Sequence, residues 1–310
     1  HTGERTLHRL MKSWGGFEGN AQTLRLLTRT ILSQQAGMNP TRAFLDGVLK
    51  YKTLYSEIEG APNHFLYARQ QPNLAFVLDG NAIPDELTPG KSRNGFRSIE
   101  CQVMDWADDT AYSLNDVADG INAGFITIAK LERWAEANEL AEGDDQHLGE
   151  LLEAIRRDRI EARMNRKIGE FIAAASLVEN ETFLSHRTRR HAYRLEINPA
   201  IESECNLFKR LSLDLVFRSQ QLQQLDKKAD FIVSRLFGAL AELYIERSEP
   251  GPNHFRILSE SQEKRIFSEP EEASRARLVC DAIARMTDSV AARTYKRLFD
   301  ADFGSIIDLV

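Results

Sequence analysis

A mainly α-helical fold is what this 310-residue sequence predicts. Three observations carry that reading. Apolar residues recur at helical spacing through most of the chain. Capping and breaking residues bracket those runs. No convincing series of alternating strands interrupts them, apart from a short hairpin expected near residues 190–197.

The elements follow in order. Thr6–Trp14 reads as a short amphipathic helix, stopped by Gly15 and Gly16. A long helix is expected from Glu18 to Gln35, with Leu24, Leu27 and Ile31 on one face and Gly37 at its end. Asn39-Pro40 starts the next, to about Leu49. Residues 52–97 carry Pro62, Pro72, Pro84 and Pro89 with several glycines, so loops with short helices are expected there. From Ser98 the helical period resumes, over about 98–119, 127–138, 146–157, 159–179, 203–223, 226–248, 259–268 and 271–299. "NPAIESE" at 198–204 is a Pro-started helix, and "EPGPNH" at 249–254 is a turn.

Bulk properties bound the class of function. Hydrophobic content is 42%, charged content 28% and net charge −6, which excludes a whole-molecule basic field for gripping nucleic acid. Cys101, Cys205 and Cys280 are far apart with no CxxC spacing. They read as reduced thiols in a cytoplasmic protein, not a disulfide frame or zinc site. No apolar run is long enough for a membrane span. "HTGERTLHRLMKSW" is not a signal peptide, and a chain opening on His with no Met is expected to continue upstream.

Residues 101–116, "CQVMDWADDTAYSLND", gather Asp105, Asp108, Asp109, Tyr112 and Asp116. On a helix, position i+4 lies about 40° round and about 6 Å up, so Asp108, Tyr112 and Asp116 form one spiralling row. Val103, Trp106, Ala107, Ala111, Leu114 and Val117 are expected to form the buried stripe opposite. No Lys or Arg occurs from 98 to 129, although exposed helices are normally laced with opposite charges. The row is therefore either a solvated face or half of a site completed by a bound cation or by cations from elsewhere. Asp suits magnesium or manganese.

His1 and Glu4 share a face if a helix begins at residue 1, and a carboxylate beside an imidazole suits acid–base work. A surface His beside a Glu is also commonplace. In "GFEGNAQTLRLLTR" at 16–29, Glu18, Asn20, Gln22 and Arg25 place acceptor, amide and guanidinium groups at a helix start. That is equally anion-binding chemistry or ordinary capping.

Together, "HTGE", "GFEGNAQTLRLLTR" and "DWADDTAYSLNDVADG" resemble the deoxyguanosine triphosphate triphosphohydrolase family of the HD-domain superfamily. "GVLKY" at 47–51 and "MTDSVAARTYKRLF" at 286–299 extend the resemblance in family order. It implies an all-α HD-domain phosphohydrolase fold, with a catalytic core over 1–125 lacking its first part. A helical C-terminal region over 126–310 packs on that core.

The activity implied is metal-dependent hydrolysis of dGTP or another deoxynucleoside triphosphate to deoxynucleoside and triphosphate. The resemblance makes Asp108 a metal ligand, Tyr112 a contact to the deoxyribose and Asp116 an acceptor for the 3′-hydroxyl. His1 and Glu4 become the catalytic pair. Asn20 and Lys50 contact substrate, with Lys50 neutralising phosphate, and Glu18, Gln22 and Arg25 line the site. The family's first metal His and its His-Asp doublet fall before His1, and no His-Asp pair occurs in this sequence. The implied cofactor is a divalent metal, magnesium or manganese before other transition metals. A homo-oligomer is implied, with a nucleotide or single-stranded DNA as effector.

"HRTRRH" at 186–191 reads as a solvated basic block or as a surface for such an effector. Alternatives to the leading reading are another HD-superfamily nucleotide phosphohydrolase and a non-catalytic nucleotide-binding or assembly subunit.

Overall fold

A computed structural model describes residues 2–30, 37–58, 63–252 and 254–303. Among these the order is α1 (Thr2–Leu10), α2 (Gly19–Arg25), α3 (Arg42–Val48), α4 (Gln71–Val77), α5 (Lys91–Gly95), α6 (Ile99–Asn122), α7 (Ile128–Ala137), α8 (Asp144–Arg156) and α9 (Ile160–Ala173). There follow β1 (Ala175–Glu179), β2 (Tyr193–Ile197), α10 (Pro199–Leu211), α11 (Gln220–Tyr244), α12 (Glu260–Phe267), α13 (Glu272–Ala284) and α14 (Asp288–Phe299). The fold is mainly α, as the helical period predicts.

Local chemistry explains most starts. Ser98, Thr127 and Ser259 sit in extended backbone just before α6, α7 and α12, and each hydroxyl accepts from an amide of the first turn. Thr287 does the same for α14, which divides the helix expected over 271–299 into α13 and α14. The helix expected from Glu18 is α-helical only to Arg25 and continues as a π-turn, Leu26–Thr30. Ile31 and the expected continuation to Gln35 lie outside the described residues.

The helix expected over 159–179 ends at Ala173, and its last residues form β1. β1 pairs antiparallel with β2, from Ala175 opposite Ile197 to Glu179 opposite Tyr193. The hairpin expected within 190–197 is thus one strand of this longer-range pair. Val178 favours extended backbone, and β2 supplies the hydrogen bonds.

Three large apolar clusters among the described residues hold the helices, beside a small one of Ala21, Phe65 and Tyr67. The inner face of α6 packs through Leu114 and Val117 against Leu151, Phe171, Phe208 and Leu211 of α8–α10. Gly120 permits close approach there, since a Cβ would lie 2.7 Å from Val216 Cγ2. The second cluster joins Leu7 and Met11 near the N-terminus to Tyr244, Val279 and Cys280 of α11 and α13. The third surrounds Leu24, Leu45, Leu49, Leu66 and Leu184. Each fully buried side chain of this kind contributes roughly 1.5–3 kcal/mol. All three cysteines are buried and free. No helix among the described residues is long and apolar enough to cross a membrane.

Two expectations are corrected. The buried line of α6 is Cys101, Thr110, Ser113, Leu114, Val117 and Gly120, while Val103 is 49% exposed and Ala107 and Ala111 are exposed. The helix buries different sides along its length. Glu100 lies against Gly47 of α3 and Asp105 meets Lys50 just after it, while Trp106, Leu114 and Val117 face α8–α10. The basic block at 186–191 is also not wholly solvated. His191 is 1% exposed, lies 2.9 Å from Asp46 Oδ2 through Nε2 and stacks on Phe96.

Candidate functional site

Two carboxylates meet at the start of α2. Glu18 caps the helix, its Oε2 accepting from the Ala21 amide at 2.7 Å and its Oε1 from Asn20 Nδ2 at 3.0 Å. Glu4, on α1, accepts from the Gly19 amide at 2.8 Å. The free amides of a helix N-terminus favour such negative charge. Burial nevertheless pushes the Glu18 carboxyl up to about 7, against the hydrogen bonds from Asn20 and Ala21 and with the help of the neighbouring Glu4 charge. Glu18 therefore exchanges its proton near neutrality. His1 lies outside the described residues.

Gln22 and Arg25 engage Asp281 on α13. Gln22 Nε2 donates to Asp281 Oδ1 at 2.8 Å, and Arg25 grips both carboxylate oxygens. Tyr67 donates to Gln22 Oε1 at 3.1 Å. These side chains tie α2 to α13, and none is hydrogen-bonded to the groups around Lys50.

Lys50 belongs to a separate, half-buried cluster. Its Nζ is 2.5 Å from Asp105 Oδ1, and Arg97 donates to Asp105 Oδ2. Burial alone would lower the Lys50 pKa, but the hydrogen bond and charge of Asp105 raise it. The ammonium is secure at neutral pH. Next to it, Tyr51 stacks on His64 with ring centroids 4.4 Å apart.

Asn94 organises this corner. Its Oδ1 accepts from the Lys52 and Thr53 amides at 2.9 and 3.1 Å, and its Nδ2 donates to the His64 carbonyl at 2.8 Å. Its own carbonyl accepts from Arg97 Nε at 3.0 Å. One buried amide thus fixes the segment after Lys50, the backbone of His64 and the guanidinium of Arg97. Burial and then Lys50 keep His64 below the usual histidine range, while Glu4 acts in the opposite sense.

The acidic row runs along α6 from this corner. Asp105 is neutralised by Lys50 and Arg97, and Asp109 lies 2.7 Å from Lys209. Cations from elsewhere in the fold thus relieve two of the four carboxylates. Asp108 is exposed, without an ion pair among the described residues. Tyr112 is 36% exposed, and its ring stacks on Phe217 at 6.0 Å. Burial, then Asp116 and Asp108, raise its phenol. Asp116 Oδ2 is shielded from solvent with no hydrogen-bond partner among the described residues, and burial, then Asp119, raises its carboxyl.

A metal at Asp108 would need further donors. No group of three His, Cys, Asp or Glu side chains among the described residues is placed to hold an ion. Asp108 is one carboxylate donor, and one donor does not make a site for magnesium or manganese, which take six oxygen ligands as a rule. The described residues alone do not fit the ion.

Arg97, Tyr51, His64, Asn94 and Asp281 were not singled out from sequence. Arg97 had a usable signal, as the last cation before the stretch without Lys or Arg. The other four had none, because their roles come from contacts across long separations.

A family model described as phosphohydrolase-associated domain matches residues 195–297. A deoxyguanosinetriphosphate triphosphohydrolase-like protein of Shewanella loihica is 30% identical over 346 residues, covering 100% of this chain and 75% of that protein. One of Streptomyces coelicolor is 30% identical over 331 residues, covering 96% and 73%. A third, from Deinococcus radiodurans, is 27% identical over 334 residues, covering 100% and 74%.

Proposed function

The chain belongs to the deoxyguanosinetriphosphate triphosphohydrolase-like family of the HD superfamily, and on that premise we propose that it hydrolyses deoxynucleoside triphosphates to deoxynucleoside and inorganic triphosphate. The observation that supports this most directly is the placement of Lys50 and Arg97 on Asp105, one helical turn before Asp108. Two cations on a single carboxylate leave positive charge for phosphate oxygens at the head of the acidic row.

In this reading the triphosphate lies against Lys50 and Arg97, and the sugar lies along α6. Tyr112 packs on the deoxyribose, and Asp116 accepts from its 3′-hydroxyl. Asn20 contacts the substrate from the start of α2. Water attacks the α-phosphorus, the bond from phosphorus to the sugar 5′-oxygen breaks, and triphosphate departs in one piece. Lys50 and Arg97 offset the charge that builds on the phosphoryl oxygens. His1, oriented by Glu4, is the proposed proton carrier. Asp108 is proposed as one donor to a divalent metal whose other ligands are not among the described residues. Residues 1–125 form the proposed catalytic core and 126–310 the region packed on it, in a cytoplasmic homo-oligomer.

Product analysis tests the proposal. The purified protein is incubated with each deoxynucleoside triphosphate and magnesium or manganese, and phosphorus products are separated by ion exchange. Equimolar triphosphate and deoxynucleoside are expected. Release of phosphate or pyrophosphate would point to another phosphohydrolase, and nucleotide binding without turnover to a non-catalytic subunit.

A further inference from the structure

Away from α6, a cavity of about 220 Å³ lies between the end of α2 and helices α12 and α13. Its wall includes Arg29, Arg69, Arg265 and Arg277, with Trp14 and Tyr67. Arg25 also reaches it, but that guanidinium is neutralised by Asp281. Arg69 is paired with Glu271 at 2.7 Å and donates to Ser274 Oγ at 2.6 Å. Arg29 and Arg265 have no ion pair among the described residues. Arg277 stacks on Tyr67, its guanidinium carbon 3.8 Å from the ring centroid, and donates to the carbonyls of Trp14, Gly15 and Gly16. After the two pairs cancel, three guanidinium groups face one remaining carboxylate of the wall, Glu269.

We infer that this cavity binds a polyphosphate anion, either free pyrophosphate or triphosphate or the phosphate tail of a nucleoside triphosphate. Guanidinium forks match phosphate oxygens, and a concave, partly desolvated setting strengthens each contact. The volume suits a short phosphate chain and is small for a whole nucleotide. A ligand here would contact the N-terminal helices and α12–α13 together, and would bind only the folded chain. The site stands apart from the Lys50 cluster and does not rest on the proposed reaction.

Calorimetric titration with sodium triphosphate at constant ionic strength tests it. Binding is expected in the wild type and in Lys50→Ala, where the other cation cluster is weakened. The double variant Arg29→Glu, Arg265→Glu alters two exposed side chains and is expected to weaken binding by about tenfold or more. Glu271→Gln frees Arg69 and removes a negative charge, and is expected to tighten binding, which misfolding would not do. Repeating the titration with dGTP in the Lys50→Ala background, without divalent metal, separates the sources. Loss in the double variant identifies the nucleotide tail as ligand. dGTP binding that is unchanged, beside triphosphate binding that is lost, identifies the free anion. The inference is overturned if the wild type binds triphosphate more weakly than about 1 mM, if sulfate binds equally well, or if the charge reversals leave the affinity unchanged.

Discussion

Arg25 and Asp281 are joined by three hydrogen bonds, Nε to Oδ1 at 2.8 Å and to Oδ2 at 2.9 Å, and Nη2 to Oδ2 at 2.7 Å. Both side chains are almost fully buried, 10% and 7% exposed. Burial alone would lower the Arg25 pKa, but the Asp281 carboxylate holds it above its ordinary value. Removing one partner leaves the other charge buried and unpaired. Asp281→Ala is therefore expected to cost about 3–5 kcal/mol. Replacing both with apolar residues, Arg25→Met with Asp281→Leu, should recover most of that. Urea unfolding of the three variants measures this. A cost below about 1 kcal/mol for Asp281→Ala would show that water reaches the pair.

Glu18 gives the folded chain a pH dependence with a definite sign. Its carboxyl moves from 4.5 to about 7 on folding because burial disfavours the anion. A group whose native value lies above its unfolded value takes up a proton on folding. Its favourable contribution is complete below about 4.5 and is lost as pH rises through 7. The change is about 3 kcal/mol across that window. Glu18→Gln retains an acceptor for the Ala21 amide and has no charge to lose. Thermal unfolding from pH 5 to 8 should show a shallower decline for this variant than for the wild type. Parallel declines would remove Glu18 as the source.

Helix existence and order were legible because the period of 3.6 is written in local residues, and hydroxyl caps such as Ser98 and Thr127 mark the starts. The same local rules missed β1, where "ASLVE" continues a helical pattern but finds hydrogen bonds in β2. They missed the break at Thr287, whose hydroxyl turns one periodic run into two helices. In the candidate site, the row Asp108, Tyr112 and Asp116 was visible from helical geometry alone. The pairing of Asp105 with Lys50 was not, since Lys50 is brought in by the fold and not by proximity in sequence. Gln22 and Arg25 show the converse. Their residue types suit a phosphate site, yet Gln22 Nε2 and the Arg25 guanidinium are turned to Asp281, a contact that spans most of the chain.

Asn94 makes a prediction about positioning. It is 8% exposed and bonds the Lys52 and Thr53 amides and the His64 carbonyl. Asn94→Ala leaves these groups without partners and is expected to cost roughly 2–4 kcal/mol. Asn94→Asp retains the acceptor for both amides but loses the donor to His64, so a smaller loss is expected. If Lys50 holds substrate phosphate, both variants should also raise KM more than they lower kcat, because the cation is displaced but not removed. Steady-state kinetics beside thermal unfolding separates the two effects. Normal KM in a destabilised Asn94→Ala protein would make the residue purely structural.

The row on α6 allows metal, phosphate and sugar roles to be tested separately. Asp108 is exposed and has no ion pair among the described residues, so Asp108→Ala should change stability by no more than about 0.5 kcal/mol. The proposed role requires that it abolish turnover. Lys50→Ala should lower kcat/KM by roughly 10²–10³, the usual effect of deleting a group that stabilises developing charge. Asp116 makes the sharpest case, because its Oδ2 is shielded and lacks a partner among the described residues. Rotation of the carboxylate toward the substrate would let a 3′-hydroxyl supply the missing donor. The wild type should then prefer a 2′-deoxynucleotide over its 2′,3′-dideoxy analogue. Asp116→Asn relieves the repulsion from Asp119 and should leave folding intact, but its amide is a weaker acceptor. The preference between the two nucleotides should shrink in this variant. If it stays as large as in the wild type, the 3′-hydroxyl is read elsewhere and Asp116 serves only the helix.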